Sequence, residues 1–382
     1  MLKQLEGIRV VEFTHMVMGP SIGVILADLG ADVVKVEPPG GDPTRSLLGS
    51  GAGYFPMFNR NKRSVCLDLK DEQGLADARA LCTDADIVIE NFRPGTLDRL
   101  GLGYEALSAL NPRLIYCSAK GFLAGPYENR TALDEVTQMM GGLAYMTGPP
   151  GRPLRAGSSV VDITGGMFGV IGILAALEQR HRTGEGANVR CSLYETTAFL
   201  VGQHMAQRDV TGQAPQPMPV RISAWAIYDV FETRNEGEQL FVGVVSDGQW
   251  RDFVAAFDLD ELAADETLAK NNQRVEARDR ILPKVRALFA AMNREELVAK
   301  LETIGLPFAP IMRPDELSED EHLNAGGLVD LTLADGSQTR LPGLPLEIDG
   351  QRGGVLHDLP GPGEHTDALT GAPAGKRAAQ QP

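Results

Sequence analysis

Asp162 is the residue whose type and position best suit covalent chemistry. It lies in the segment Arg155-Ala-Gly-Ser-Ser-Val-Val-Asp162-Ile-Thr-Gly-Gly-Met-Phe-Gly169, just before an apolar helix predicted over 167–179. A helix N-terminus carries partial positive charge and free N–H groups, so a carboxylate there is expected to stay ionised and fixed. Such a carboxylate can act as a nucleophile that forms acyl intermediates. The alternative is simpler, because aspartate is a preferred helix N-cap and capping alone explains its position.

A cluster of cations precedes the third predicted strand. Arg60, Lys62 and Arg63 lie within four residues of one another, and Lys70 follows the strand. In a chain that is acidic overall, such a cluster is a candidate phosphate-binding site, because cations and the N–H fork of arginine recognise phosphate oxygens. The same residues also fit a solvated run of charge that binds no ligand.

The segment Glu90-Asn-Phe-Arg-Pro-Gly95 falls at the carboxyl end of another predicted strand, where the crevice of a doubly wound sheet opens. Asn91 offers a donor and an acceptor, Phe92 a flat ring, and Arg93 and Arg99 two cations. Together with the cation cluster, these side chains suit a ligand that carries several phosphates and a heteroaromatic ring. The alternative is a helix that starts at Thr96 after a Pro-Gly turn.

Size and composition indicate the class of protein. The 382 residues are 43% hydrophobic and 23% charged, which is typical of a globular chain of two or three domains. The net charge of −15 disfavours broad binding to nucleic acid or anionic membranes but allows a local basic pocket. The four cysteines have no zinc spacing, so no metal site is predicted, and they are expected to be reduced in a cytoplasmic protein. The N-terminus lacks a signal region, and the apolar run over 167–177 is too short to span a bilayer.

Strand-like and helix-like patterns alternate over the first 195 residues. The strands are short and almost wholly apolar, as expected when helices cover both faces of a sheet. This alternation predicts β-α-β units around a mostly parallel sheet, which is an α/β fold. The predicted strands are 7–13, 32–37, 63–69, 86–90, 114–118 and 188–193, and the predicted helices are 21–29, 73–82, 97–110, 133–145 and 167–179.

A polar, proline-rich stretch marks a change of organisation. Residues 208–225 are predicted to be a linker, and a smaller α+β domain follows over 226–305. Residues 306–327 are predicted to form a return linker, and a hairpin pattern follows within 328–369. Residues 370–382 are low in core-forming side chains and are expected to be a disordered tail.

Eight segments spread over roughly residues 5–367 carry distinctive combinations of charged residues, glycine and proline. They are Val11–Pro20, Leu26–Pro38, Gly41–Arg45, Asn59–Ser64, Glu90–Gly95, the Asp162 segment, Gly184–Gly186 and Pro362–Thr366. In this order they resemble the class III CoA-transferases, also called the CaiB/BaiF family. Several motifs in register are a much more specific signal than any one alone.

The resemblance implies an overall plan. Residues 1–207 would form the first part of a Rossmann-like, CoA-binding large domain, residues 328–369 would complete it, and the smaller domain would lie between them in sequence. The predicted linkers agree with this plan. The resemblance also implies a homodimer whose two subunits are interlocked like the links of a chain.

The resemblance implies a reaction as well. Asp162 matches a catalytic aspartate that attacks an acyl-CoA thioester and passes through a mixed anhydride to an aspartyl-CoA thioester, from which an acceptor carboxylate takes CoA. CoA is then a substrate, and no tightly bound cofactor is expected. The residues predicted to bind CoA are Leu67, Lys70, Asn91, Phe92 and Arg99, the backbone near Met16 and Val17, and the cation cluster at Lys62 and Arg63.

Two departures from the family's patterns shape the hypothesis. Leu133 stands where the α-methylacyl-CoA racemase branch has a catalytic histidine, and racemisation needs a second acid or base, so transfer is favoured. Val17 stands where formyl-CoA transferases have glutamine, which disfavours oxalate and formate chemistry.

The resulting hypothesis is an acyl-CoA:carboxylate CoA-transferase that acts on small carboxylic acids, with dicarboxylates such as succinate, itaconate, mesaconate or citramalate as the expected substrates. Arg45, Arg155 and Arg221 are candidates for binding the acceptor carboxylate, and each is equally consistent with a structural role. An acyl-CoA racemase or epimerase of the same fold and a non-catalytic CoA-binding relative are the alternatives.

Overall fold

Six short strands form the central sheet of the chain in the computed structural model, which describes residues 2–371. They are β1 (Arg9–Phe13), β2 (Asp32–Glu37), β3 (Lys62–Cys66), β4 (Ile87–Glu90), β5 (Ile115–Lys120) and β6 (Ala187–Ser192). The strands are all parallel and lie in the order β3-β2-β1-β4-β5-β6. The predicted parallel α/β sheet is confirmed, and its strand order reverses between β1 and β4, where doubly wound sheets open a crevice for ligands.

Helices connect the strands and cover both faces of the sheet. They are α1 (Met18–Asp28), α2 (Tyr54–Phe58), α3 (Glu72–Thr83), α4 (Thr96–Arg99), α5 (Tyr104–Leu110), α6 (Asp134–Met140), α7 (Leu143–Thr147), α8 (Val160–Thr183) and α9 (Leu193–Thr211). Side chains alternate across each strand, so Val10 joins the core under α1 and α8 while its neighbour Val11 joins the core under α3 and α5. Both faces are therefore buried, which explains why the strands are almost wholly apolar.

Glycines on α8 allow it to pack unusually close to α1. A Cβ atom added to Gly166 would lie 2.1 Å from Ser21 Oγ, and one added to Gly169 would lie 2.7 Å from a side-chain carbon of Ile22. A side chain at either position would force the helices apart. This close packing brings the first turns of α1 and α8 side by side.

The C-terminal part of the chain returns to the edge strand β3. The backbone N–H of His365 donates to Ser64 O at 2.9 Å, and Ser64 N–H donates to His365 Nδ1 at 3.3 Å. Cys66 N–H donates to Thr366 Oγ1 at 3.0 Å. The Pro362–Thr366 motif thus covers an edge that would otherwise present free backbone groups.

The remaining elements of this returning segment are short. They are α15 (Glu321–Asn324), the antiparallel hairpin of β10 (Leu328–Thr332) and β11 (Gln338–Pro342), the pair β12 (Glu347–Ile348) and β13 (Gln351–Arg352), and α16 (Thr366–Thr370). The predicted disordered tail, 370–382, lies outside the described residues from 372 onward, and Thr370 ends α16.

The second compact unit spans Val220–Leu317, and the first comprises the residues before and after it. The elements of the second unit are β7 (Tyr228–Glu232), β8 (Gln239–Gly243), α10 (Asp247–Ala256), α11 (Asp260–Ala263), α12 (Asn271–Glu276), α13 (Arg278–Ala290), α14 (Arg294–Thr303) and β9 (Phe308–Pro310). The three strands are antiparallel, and the unit has its own core around Phe231, Phe253 and Phe289.

Several predicted boundaries differ from the structure. The predicted linker at 208–225 overlaps the end of α9, which sequence reading missed because this helix has only a weak apolar stripe. The predicted return linker at 306–327 contains β9, which pairs with β8. The predicted helices 97–110 and 133–145 are each broken in two, since Gly101 and Gly142 adopt left-handed backbone angles that end a helix.

Helix α8 is longer than predicted. It runs for 24 residues and contains an 18-residue stretch with a mean hydropathy of 2.0, so among residues 2–371 it alone passes the length and composition test for a membrane span. The expectation that this apolar segment is too short to span a bilayer is therefore wrong. Its buried side chains, such as Val170 and Ile173, belong to the core that also contains β5 and β6 residues, as in the core helix of a globular domain.

Candidate active site

Asp162 occupies the first turn of α8 but does not cap it. Its helix starts at Val160 after Ser159, and the carboxylate of Asp134 supplies the cap. Asp134 Oδ2 accepts hydrogen bonds from Val161 N–H at 2.9 Å and from Asp162 N–H at 3.1 Å. Among residues 2–371, no hydrogen bond reaches the Asp162 carboxylate, so its side chain is left available for chemistry.

The environment of Asp162 favours its protonated form. Burial, followed by the negative charge of Asp134, raises the pKa of Asp162 to about 7, while the Arg155 cation partly opposes the shift. The helix N-terminus therefore favours the ionised form less than expected, because Asp134 already occupies two of its N–H groups and adds like charge. A carboxylate that titrates near neutrality is more basic than an ordinary aspartate.

Both carboxylate oxygens of Asp134 have partners within the fold. Its Oδ1 atom accepts from Gln138 Nε2 at 2.6 Å and lies 3.6 Å from the Arg155 guanidinium, while its Oδ2 atom caps α8. Gln138 also accepts a hydrogen bond from Ala156 N–H at 2.8 Å. These contacts tie α6 to the start of α8 and fix the position of the backbone that carries Asp162.

Asp162 faces a cavity of about 360 Å³, which we name the Asp162 cavity. Its wall includes the turn that leads into α1, from His15 to Met18, together with the first residues of α6. Leu133, where a second acid or base would be needed for racemisation, also lines this cavity and offers only an apolar side chain.

A second cavity of about 580 Å³ lies at the carboxyl ends of β1 and β2, and we name it the strand-end cavity. Leu67, Lys70 and Phe92 contribute to its wall. His15 and Met16 line both this cavity and the Asp162 cavity, so the two adjoin at these residues. A ligand that filled the strand-end cavity and reached Asp162 would pass His15 and Met16.

The turn between the cavities is held by hydrogen bonds from two directions. Asn91 Oδ1 accepts from His15 N–H at 3.0 Å, and Asn91 Nδ2 donates to His15 O at 2.9 Å. Met16 has a left-handed backbone angle, φ 62°, and its N–H donates to Thr44 Oγ1 at 3.1 Å. A strained non-glycine residue at a cavity junction is typical of a functional turn.

Comparison with known proteins identifies the family of this chain. A sequence profile described as CoA-transferase family III matches residues 5–366. The chain belongs to this family. The predicted resemblance is thus confirmed, and the chain is an enzyme of the class III CoA-transferases.

Solved and characterised relatives cover nearly the whole chain. A CaiB/BaiF family protein from Brucella suis has 33% sequence identity and a TM-score of 0.83, with 97% of this chain and 99% of that chain covered. Succinate–glutarate CoA-transferase from Agrobacterium fabrum is 36% identical over 94% of this chain and 93% of its own length. Succinyl-CoA–D-citramalate CoA-transferase from Chloroflexus aurantiacus is 31% identical over 95% and 92%, respectively.

The CoA-transferase structure brings most of the predicted CoA-binding residues together. Leu67, Lys70 and Phe92 line the strand-end cavity, Val17 and Asn91 line the Asp162 cavity, and Met16 lines both. Arg99 is exposed on α4 beside Thr96 and is not among the residues that line either cavity. Arg93, which was noted in the same motif, lines the strand-end cavity instead.

The prediction that Lys62 belongs to a phosphate site is wrong. Its side chain is fully buried, and its Nζ donates to Glu12 Oε1 at 2.8 Å, to Pro20 O at 3.0 Å and to Asn59 Oδ1 at 3.2 Å. All three of its N–H donors therefore have internal partners and none reaches a ligand.

The two neighbouring cations are also engaged within the fold. Arg60 is buried and paired with Asp28 at 2.6 Å, and the half-buried Arg63 is paired with Asp32. The predicted role of Arg63 in phosphate binding has no cavity to support it, since Arg63 lines neither cavity. The cation cluster is thus mainly structural.

The three candidate arginines for the acceptor carboxylate differ in their locations and contacts. Arg45 binds Glu37 at 2.6 Å and its guanidinium lies 3.8 Å from the centre of the Phe55 ring, which is a structural role. Arg155 lines the Asp162 cavity. Arg221 belongs to the second compact unit.

Sequence reading missed His15 and Asp134 as site residues. His15 stood inside a matching motif, between the strand β1 and α1, and this position was the available signal. Asp134 gave no local signal, because its partners on α8 are more than twenty residues further along the chain. Burial lowers the pKa of His15, with the Asp42 charge opposing, and this favours the neutral form of its ring.

Proposed function

We propose that this class III CoA-transferase moves CoA from an acyl-CoA to a small carboxylic acid through a covalent thioester on Asp162. The Asp162 carboxylate attacks the thioester carbonyl, the C–S bond breaks, and CoA leaves as a thiolate, which produces a mixed anhydride. The thiolate then attacks the Asp162 carbonyl and releases the donor acid as its carboxylate. The product of this half-reaction is an aspartyl-CoA thioester.

The second half-reaction runs in the opposite direction with a different acid. The acceptor carboxylate attacks the aspartyl-CoA carbonyl and displaces the CoA thiolate, which forms a new mixed anhydride. The thiolate attacks the acceptor's carbonyl, and the Asp162 carboxylate is restored. No net proton is taken up or released, so the protein needs only to hold the acids, the sulfur and the nucleophile in place.

One observation carries the proposal: Asp162 faces a cavity that joins a larger one at His15 and Met16. The larger cavity sits at the strand ends where doubly wound sheets bind nucleotides and has Lys70, Arg93 and Phe92 in its wall. These side chains suit the phosphates and adenine ring of CoA. The place where the two cavities adjoin suits the pantetheine arm, which would deliver the thioester to Asp162.

The substrates are proposed from the relatives. Those reported above act, by their names, on succinate, glutarate and D-citramalate or their CoA thioesters. We propose that the donor and acceptor here are small carboxylic acids of the same kind. An acyl-CoA racemase or epimerase remains the alternative outcome of the test below, and Leu133 weighs against it because it supplies no proton.

Trapping the covalent thioester tests the mechanism. Incubation with succinyl-CoA and hydroxylamine is expected to convert Asp162 into a hydroxamate, visible by peptide mass spectrometry. In Asp162→Ala, both the adduct and CoA exchange between acids are expected to disappear, with a loss of turnover of about a thousandfold or more.

A matched control and two contrary outcomes define the test. Glu178→Gln replaces an exposed carboxylate on the same helix and is expected to leave exchange unchanged. Exchange that survives in Asp162→Ala would contradict the mechanism. Solvent deuterium entering the α-carbon of the acyl group without CoA exchange would favour the racemase instead.

We also propose that a second copy of the chain covers an exposed apolar face of α8 and α9. Met167, Ile171 and Leu174 recur at helical spacing on α8, and Phe199 on α9 packs against Phe168 while remaining 72% exposed. Large apolar patches that face water mark contact surfaces. The proposed occupant is the partner subunit of an interlocked homodimer.

The solution mass tests this interface. Light scattering after gel filtration is expected to report a dimer for the wild type and a smaller dimer fraction for Ile171→Asp, because a buried unpaired carboxylate is costly. Glu178→Gln on the same helix is expected to keep the dimer. A monomeric wild type would contradict the proposal.

A further inference from the structure

Arg155 lies in the wall between the Asp162 cavity and a third cavity of about 460 Å³, which we name the side cavity. The two cavities share Ser50, Tyr54, Arg155 and Ser159. Beyond Arg155, the side cavity is walled by apolar side chains such as Met57, Phe58 and Ile163. A small acid held at Asp162 therefore has room to extend past the guanidinium.

The guanidinium of Arg155 is bound by two carboxylates of unequal character. Arg155 Nη1 donates to Glu135 Oε1 at 2.9 Å, whereas Arg155 Nη2 lies 3.6 Å from Asp134 Oδ1. The Asp134 side chain is only 8% exposed and is fixed by its other hydrogen bonds, but the Glu135 side chain is 59% exposed. An ion pair with so exposed a partner contributes little to stability, so Glu135 is readily displaced.

The other cation in the wall of the Asp162 cavity, Lys120, has a buried carboxylate partner that a ligand cannot readily displace. Lys120 Nζ lies 2.5 Å from Glu90 Oε1 and also donates to Phe92 O at 2.8 Å, and the Glu90 side chain is nearly fully buried. Lys120 is therefore committed to the fold. Arg155 is the cation of this wall that can exchange its carboxylate partner for a ligand.

We propose, on the basis of the transfer function above, that Arg155 selects dicarboxylic acids by binding the carboxylate that does not react. This carboxylate takes the place of Glu135 on the guanidinium, which can donate two parallel N–H groups to the two oxygens of a carboxylate. The methylene chain then lies in the Asp162 cavity, whose wall contains both Asp162 and Arg155. A monocarboxylic acid reaches Asp162 equally well but leaves Glu135 in place and gains nothing from Arg155.

The test compares succinate with butyrate, which has the same number of carbons and one carboxylate. With acetyl-CoA as donor, the ratio of kcat/KM for succinate to that for butyrate is expected to fall about tenfold or more in Arg155→Met. Arg155→Lys is expected to have a ratio between those of Arg155→Met and the wild type, because an ammonium keeps the positive charge but lacks the paired N–H donors of the guanidinium. Glu135→Gln is expected to raise the ratio, since succinate no longer competes with a carboxylate.

Calorimetric titration of each acid into the same variants measures binding without turnover. Succinate affinity is expected to fall in Arg155→Met while butyrate affinity is retained. The control is Glu128→Gln, which breaks an ion pair of similar length, 3.0 Å to Arg190, and is expected to change neither ratio nor affinity.

The outcomes separate the two proposals. An unchanged ratio together with unchanged succinate affinity in Arg155→Met would overturn this inference and leave the transfer function intact. Absence of CoA transfer to every acid, with succinate binding that still depends on Arg155, would overturn the transfer function and support the dicarboxylate site.

Discussion

Two groups of charged residues in the first compact unit are built in opposite ways. In the first, which we name the buried ion cluster, Glu12 lies 2.8 Å from Lys62 and 3.8 Å from Lys35, and Asp42 lies 3.0 Å from Lys35. Two acids thus face two bases, and all four are buried. At the start of α8, by contrast, Asp134, Glu135 and Asp162 share the single cation of Arg155.

The difference appears in the pKa values. Burial alone would raise the pKa of Asp42, but Lys35 and the hydrogen bonds from Thr44 outweigh it and lower the value. Burial also acts on Asp162, and there the nearby carboxylate adds to it, so the pKa rises to about 7. Balanced charge makes a carboxylate structural, whereas unbalanced charge makes it reactive.

Removing one partner from the buried ion cluster is expected to have the largest effect on stability. Lys62→Met leaves Glu12 buried without its nearest cation, so the free energy of unfolding is expected to fall by about 3–5 kcal/mol. Urea denaturation followed by circular dichroism measures the change. Lys3→Met, which breaks an exposed pair with Glu6, is the control, and an equal loss in both variants would contradict the comparison.

Neutralising the like charge beside Asp162 is expected to move its titration. In Asp134→Asn, the pKa of Asp162 falls, because a neutral amide replaces the carboxylate that raises it. The acid limb of the pH profile of kcat/KM, expected near pH 7 in the wild type, then moves to lower pH. Below this limb the variant is expected to be more active than the wild type, since a pKa lower by about one raises the ionised fraction there about tenfold. A profile whose midpoint does not move would show that Asp134 acts only as a cap.

A neutral side chain at position 162 is expected to stabilise the fold at high pH. The folded pKa of Asp162, about 7, is above the ordinary aspartate value of 3.8, so the wild type loses stability as pH rises from about 4 to about 7 and stays at that lower level above it. Asp162→Asn lacks this titration. It should therefore exceed the wild type by about 1 kcal/mol or more at pH 8.

The same comparison at low pH checks the sign. At pH 5, most of the folded wild type carries a protonated Asp162, so the advantage of Asp162→Asn is expected to shrink. Thermal denaturation of both proteins at pH 5 and pH 8 gives the measurement. An advantage that grows as pH falls would contradict the assigned direction of the pKa shift.

Removal of an exposed ion pair is expected to have the smallest effect on stability. Glu178→Ala removes the partner of Arg182 on α8, where both side chains are about 70% exposed. The free energy of unfolding is expected to change by less than about 0.5 kcal/mol. A larger change in the free energy of unfolding, measured by urea denaturation, would contradict the comparison. It would show that burial and the balance of neighbouring charges do not determine how much a charged side chain stabilises the fold.

The sequence was sufficient for features that depend on neighbours along the chain. The alternating apolar segments correctly predict the parallel sheet, since strand period and turn glycines are local signals. The Asp162 segment also stands out locally, because a carboxylate precedes a run of glycines and apolar residues. The breaks at Gly101 and Gly142 were missed because a glycine in a helical pattern does not reveal its backbone angle.

Features that depend on partners far away in the sequence could not be predicted from local patterns. Lys62 was interpreted as a ligand-binding cation because its partner, Glu12, lies 50 residues away in sequence. Asp134 was not recognised as the cap of α8 for the same reason, since it bonds to residues 27 and 28 positions later. Whether a charge is structural or available depends on these long-range contacts.

The contacts between the Pro362–Thr366 motif and β3 have a consequence for biosynthesis. Ser64 and His365 are separated by 301 residues, so a ribosome must translate almost the whole chain before this edge of the sheet finds its partner. Until then the growing polypeptide exposes an unpaired strand, which invites association with other nascent chains. A premature stop just before Pro362 would thus produce a protein with Asp162 intact and an aggregation-prone edge.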